Sequence, residues 1–144
     1  MEKDIDYLFE KKLLRKIPLD IEKVKSSIKI ADMKLTEAKE LFDAEFFSNA
    51  LLSVYTSMFH ASRALLYKNG VQEKSHYAVY MYIKEIFSDK IPKSLINSLN
   101  SYREMRHNIL YGEEAEVERE NSENALLDAE DFLEEVKKIL ENGK

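Results

Sequence analysis

The chain contains no cysteine, which excludes a disulfide framework and a thiolate-held metal and suits a reducing compartment. Glycine occurs three times and proline twice in 144 residues, so little interrupts a helix. No apolar run reaches the roughly 18 residues that suggest a membrane-spanning helix. The opening MEKDIDYLFEKK mixes charges and holds no signal-peptide core. No membrane partner is expected, and a cytoplasmic location is. Phosphate-binding loops, dinucleotide-binding glycine motifs and the G-x-S-x-G nucleophile turn are absent. The three histidines, His60, His76 and His107, are scattered, with no i,i+4 pair among them. Neither a metal nor a cofactor is expected.

Helix formers are abundant. Charged residues make up 34% of the sequence and hydrophobic ones 44%, and the length suits one domain over 1–144. A chain of this size buries about two-thirds of its unfolded surface and needs no staple to fold. The net charge of −5 is unevenly spread. Residues 61–111 carry 8 Lys+Arg against 4 Asp+Glu, whereas 112–144 carry 4 against 12. The acidic total argues against a broad nucleic-acid-binding surface. The basic middle leaves room for a local phosphate site, and helices of opposite charge lying side by side would account for it equally well.

Apolar residues recur at helical spacing between the breakers. A short first helix covers about 2–15. Asp20 can cap a second, in which Ile21, Val24, Ile28, Ala31, Leu35, Ala38 and Phe42 form one seam. A third, about 45–69, carries the seam Phe47, Leu51, Val54, Met58, Ala61 and Leu65 beside a stripe of small residues, Ala50, Ser53, Ser57 and Ala64. VQEKSH reads as a loop, with Ser75 capping a fourth helix over 76–89. Pro92 opens a fifth that ends at Gly112. The acidic EEAEVERENSE reads as loop or frayed helix, and a last helix runs from about 122 to 141. The expectation is all-α: an antiparallel up-and-down four-helix bundle with an additional short helix.

The fifth helix breaks its own pattern in SYREMRHNILYG, residues 101–112. One apolar row runs through Ile96, Leu99, position 103, position 106 and Leu110. Its neighbour runs through Leu95, Leu99, Tyr102, position 106 and Ile109. Arg106 stands on both rows and Arg103 on one. Three explanations compete. Arg106 pairs with a core carboxylate; or both arginines lay their stems on apolar surface with the heads in water; or the face opens into a cleft or a subunit interface where an anion is handled. Residues Glu40 and Glu45 are candidate carboxylates. His107 shares a face with Arg103, and Tyr111 follows one turn later. A histidine beside a phosphate-holding arginine has the chemistry for metal-free attack of an RNA 2′-hydroxyl on its own phosphodiester. On the third helix, His60 reads as a buried hydrogen-bonded residue or a cleft residue, and Arg63 as an ion-pair or cleft residue.

SVYTSMFHASRALLYKNG (53–70), KSHYAVYMYI (74–83) and RHNILYG (106–112) together resemble the HEPN superfamily, especially its small stand-alone prokaryotic members. Tyr55, Met58, Phe59, His60, Ala61, Arg63, Ala64, Leu65 and Leu66 match the family's third-helix pattern. The likeness spans about residues 20–140. It implies a helical bundle that forms homodimers, with both copies lining one cleft. It implies a metal-independent ribonuclease or a toxin paired with a small nucleotidyltransferase antitoxin, with RNA or a nucleotide as ligand. The family signature is an Arg, four to six residues, then a His. Here Arg106 reaches Tyr111 at that spacing, and Arg103 reaches His107 after three intervening residues. The site residues implied are Arg106, His107, Tyr111 and Arg103. In some toxin pairs a tyrosine near this motif accepts a nucleotidyl group, which makes Tyr111 a candidate. The alternative is a catalytically inactive module that dimerises and docks the nucleotidyltransferase.

Overall fold

In the computed structural model, residues 2–112 and 116–142 are described. Six helices and one small antiparallel ribbon follow in the order α1 (Glu2–Glu10), β1 (Leu14–Lys16), α2 (Ile21–Asp43), α3 (Phe47–Lys68), β2 (Val71–Glu73), α4 (His76–Ile86), α5 (Lys93–Tyr111) and α6 (Arg119–Asn142). The protein is all-α in class, and no helix among the described residues is long and apolar enough to cross a membrane.

The helix starts follow local chemistry. Asp20 accepts a hydrogen bond from the Glu22 amide at 3.0 Å and so opens α2. Ser75 does the same for α4 through the Ala78 amide, also at 3.0 Å. Between α2 and α3, Glu45 turns the chain with φ of 65°, so α3 starts at Phe47, two residues later than the periodicity suggests.

The long helices α2, α3, α5 and α6 form the body. Both α3 and α6 touch α2 and α5, and they touch each other. α3 is the most enclosed, with Leu51, Val54, Tyr55, Met58, Leu65 and Leu66 all buried. Its small-residue stripe works as the sequence implies. Ser57 is fully buried against α2 and donates to the Ala31 carbonyl at 2.7 Å, a contact that a larger side chain would hold apart. The seam of α2 is buried at Val24, Ala31, Leu35 and Ala38, while Ile21 at its start is exposed. In α6, Ala125, Ala129, Phe132 and Val136 face inward, as the sequence pattern requires.

Further boundaries differ from the sequence reading, and α4 ends at Ile86, three residues before the expected 89. The first helix stops at Glu10, and the segment assigned to its end instead forms β1, which pairs with the supposed VQEKSH loop. The register is Leu14↔Glu73, Arg15↔Gln72 and Lys16↔Val71. Two flanking bonds, Ile17 N–H to Gly70 C=O and Lys74 N–H to Leu13 C=O, extend the pairing at 2.8 Å each. Lys12, with φ of 62°, bends the chain out of α1 so that it can return. The last helix starts at Arg119, not 122. The acidic stretch before it begins with residues 113–115, outside the described residues.

Candidate functional site

The second half of α5 carries the mixed face. Its apolar residues Leu95, Ile96, Leu99 and Tyr102 are buried. Beyond them Arg103 and Arg106 are half-buried, so the apolar face turns cationic where the sequence register places the change. No carboxylate among the described residues pairs with either guanidinium. The core-carboxylate explanation therefore finds no partner here. Glu45 is bonded instead to Arg119 at 2.8 Å, because its left-handed turn between α2 and α3 sends it toward the start of α6. Glu40 is exposed and makes no ion pair among the described residues.

The arginine heads rest on aromatic rings. The Arg106 guanidinium lies 6.0 Å from the Tyr55 ring centre, and that of Arg103 lies 5.3 Å from the Tyr77 ring. Arg103 also donates to the Asn100 side-chain oxygen from Nε at 3.1 Å and from Nη2 at 2.8 Å. These contacts hold the heads without neutralising them.

Tyr55 leads to a group of residues that the sequence does not place together. Its hydroxyl oxygen lies 2.8 Å from Nδ1 of His76, the first residue of α4. The His76 ring stacks on Phe59 at 4.3 Å between centres. Phe59 packs its edge against His60 on the same helix at 5.5 Å. Arg63, one turn on, lies over both Phe59 and Tyr67 and donates to Glu73 at 3.2 Å. Thus α3 contributes Tyr55, Phe59, His60 and Arg63; α4 contributes His76 and Tyr77; α5 contributes Arg103 and Arg106. Of the three arginines, one has a carboxylate.

The titrating groups respond to that imbalance. Burial, opposed by the Arg106 and Arg103 charges, raises the Tyr55 phenol and keeps it protonated. His76 is lowered, first by burial and then by Arg106, Arg103 and Arg63. His60 is lowered to about 4, again by burial first and then by Arg63. Its Nδ1 is buried and has no hydrogen-bond partner among the described residues, so the hydrogen-bonded reading of His60 does not hold for that nitrogen. Both imidazoles are neutral at ordinary pH, and the charge of the site is carried by arginine.

His107 and Tyr111 stand apart from this group. Both are exposed, Tyr111 at 70%, and their rings lie 5.1 Å apart on the outer side of α5. Of the four site residues that the sequence suggests, the structure brings Arg103 and Arg106 to the aromatic cluster and leaves His107 and Tyr111 exposed and apart from it. Sequence reasoning missed Tyr55 and His76 as a pair. Twenty-one residues separate them, and only the turn between α3 and α4 brings them together.

Comparison with known proteins follows the same lines. The family model described as HEPN domain matches residues 24–139. A Methanocaldococcus jannaschii protein named "Putative toxin" is 30% identical over 129 residues, covering 83% of this chain and 90% of its own length. A second protein of that organism with the same designation is 30% identical over 115 residues, 78% of each chain. A Thermotoga maritima protein named "UPF0332 protein" is 31% identical over 112 residues, 76% of this chain and 85% of its own.

Proposed function

The chain belongs to the HEPN family, and from that footing we propose that it is a toxin-type homodimer whose α5 face binds RNA and cuts it without a metal. The observation that carries this reading is the pair of half-buried guanidinium groups, Arg103 and Arg106, with no carboxylate partner among the described residues. A charge withdrawn from water looks for an opposite charge, and a phosphodiester supplies one with two oxygens that suit the planar fork of arginine. Arg106 would hold the phosphate and Arg103 would assist. His107 and Tyr111, exposed on the same helix, would supply polar groups toward the sugar and the leaving oxygen. The partner would be a small nucleotidyltransferase acting as antitoxin, with exposed Tyr111 within its reach. The relatives named as toxins favour this setting.

The test is direct. Purified protein and an Arg106→Ala variant are incubated with mixed RNAs in EDTA. Wild-type cleavage that the variant loses is the expected result. No cleavage by either protein, or equal cleavage by both, removes the nuclease reading.

A second reading has its own support. His107 and Tyr111 are both exposed, their rings 5.1 Å apart, and neither is among the residues that meet Arg106 at the Tyr55 ring. The bundle would then bind RNA or a nucleotide and dock its partner without chemistry of its own. Binding of RNA without cleavage would select it.

A further inference from the structure

Beside Arg103 and Arg106, the same cluster holds the imidazole of His76, joined to Arg106 through Tyr55. The His76 ring is fixed on two sides, stacked on Phe59 at 4.3 Å and tilted against Tyr55 at 5.7 Å. Its Nδ1 is occupied by the Tyr55 hydroxyl at 2.8 Å. Its Nε2 makes no hydrogen bond among the described residues. It is also not one of the buried unpartnered atoms, which among those residues are His60 Nδ1 and Ser122 Oγ. Nε2 is therefore the open edge of a rigidly held ring. The Tyr55 ring that holds it also lies beneath the Arg106 guanidinium. One tyrosine thus ties the imidazole to the arginine.

We propose that His76 is the second arm of the anion site, a neutral Nε2–H donor aimed at the phosphate that Arg106 holds, with its tautomer set by Tyr55. The inference rests on the RNA-binding reading of the Arg106 face and adds a residue from a different helix. The tautomer follows from the hydroxyl. Tyr55 remains a phenol, its hydroxyl has no other hydrogen-bond acceptor among the described residues, and Nδ1 of His76 at 2.8 Å is the atom placed to accept from it. A neutral imidazole that accepts at Nδ1 carries its hydrogen on Nε2. The charged and titratable groups around it agree with a neutral ring: Arg106 and Arg103 from α5, and Arg63, His60 and Tyr55 from α3. A neutral donor adds a hydrogen bond to the anion without a third positive charge in the cluster. Its role is to bind and orient the phosphate; no proton leaves it.

Amide substitutions separate the two ring nitrogens. Glutamine reaches about as far as Nε2 and keeps an N–H there, whereas asparagine ends near Nδ1. The probe is a 2′-O-methyl RNA oligonucleotide, which cannot attack its own phosphodiester, at one fixed ionic strength because affinity varies steeply with salt. Binding is measured for wild type, Arg106→Ala, His76→Gln, His76→Asn and His107→Ala, with melting temperatures confirming that each is folded. Nitrogen-15 spectra of the histidine rings report the His76 tautomer and its response to the probe.

The expected result is an Nε2–H tautomer whose resonance moves on binding. Affinity should fall about tenfold or more for Arg106→Ala and His76→Asn, and should stay within about threefold for His76→Gln. An Nδ1–H tautomer, wild-type affinity in His76→Asn, or no binding of the probe at all overturns the proposal. Loss in His107→Ala without loss in His76→Asn overturns it in favour of the outer face. The two readings fail separately. Uncut RNA with this binding pattern removes the nuclease and keeps His76. Arg106-dependent cleavage that His76→Asn leaves intact does the reverse.

Discussion

Replacing Arg106 by methionine distinguishes a functional guanidinium from a structural one, because the two predict melting temperatures far apart. Breaking one side of a buried ion pair costs about 3–5 kcal/mol, since the partner is left charged and dry. Arg106 has no such partner among the described residues. Its guanidinium lies 6.0 Å from the Tyr55 ring centre, the outer range for a cation over a ring, where the attraction is about 0.5–1 kcal/mol. Methionine keeps an apolar stem over the same surface, and its sulfur also favours aromatic neighbours. The net change in stability is expected within about 1 kcal/mol of zero. For a chain of this length, 1 kcal/mol moves the melting temperature by about 3–5 °C, so Arg106→Met should melt within about 5 °C of wild type. RNA affinity should meanwhile fall about tenfold or more, the cost of a lost charge-assisted hydrogen bond. The slope of log affinity against log salt should fall by about 0.7, one single-strand phosphate contact. Scanning calorimetry and a salt series of binding isotherms measure both. A drop of about 10–20 °C with RNA binding unchanged would refute the reasoning and make Arg106 a structural cation.

Other outcomes follow from the same geometry. As pH falls, the unfolded chain takes up protons near the ordinary histidine value of 6.5, before folded His60 does so at about 4. Its contribution to stability is therefore complete above 6.5 and is lost between 6.5 and about 4, with His76 shifted the same way. Denaturant midpoints across that window should fall less steeply in His60→Gln, and identical slopes would count against a buried neutral ring. Ala31→Leu forces bulk into the α2–α3 contact that Ser57 bridges and should cost about 1–3 kcal/mol by urea unfolding. Gly70 has φ of +69°, and an added Cβ would meet the Ile17 carbonyl at 3.0 Å, so Gly70→Ala should destabilise by about 1–2 kcal/mol and loosen the ribbon in hydrogen exchange. If a nucleotidyltransferase partner modifies the protein, mass spectrometry should place the added group on Tyr111, and Tyr111→Phe should abolish it.

Periodicity was a sound guide wherever one helix face met the core. The seams of α2, α3 and α6 lie where the apolar spacing puts them apart from exposed Ile21, and the buried stretch of α5 ends at Tyr102, just before the two arginines, with Leu110 beyond them exposed. The ribbon was illegible for a physical reason. Three residues, Leu-Arg-Lys, are too short to show a two-residue period, and what makes them a strand is a partner more than fifty residues away. The site divides in the same way. Arg103 and Arg106 show as misfits within one helix, whereas Tyr55 and His76 each look ordinary until α3 and α4 are folded together. No local pattern signals an imidazole held by a tyrosine from another helix.

The two-stranded ribbon sets how the chain can be cut. The family likeness begins at residue 24, yet β2 has its hydrogen-bonding partner at Leu14–Lys16, and Ile5, Leu8 and Leu14 are buried in the same core as the long helices. A fragment trimmed to the matched span would leave Val71–Glu73 as a bare strand edge beside newly uncovered apolar surface, the combination that draws chains into non-native pairing. Glu73, which neutralises Arg63, sits on that strand, and His76 follows three residues later. An N-terminal truncation chosen from the family boundary would therefore alter the mount of the proposed anion site, and a loss of RNA binding in such a fragment would report the missing strand and not a missing contact.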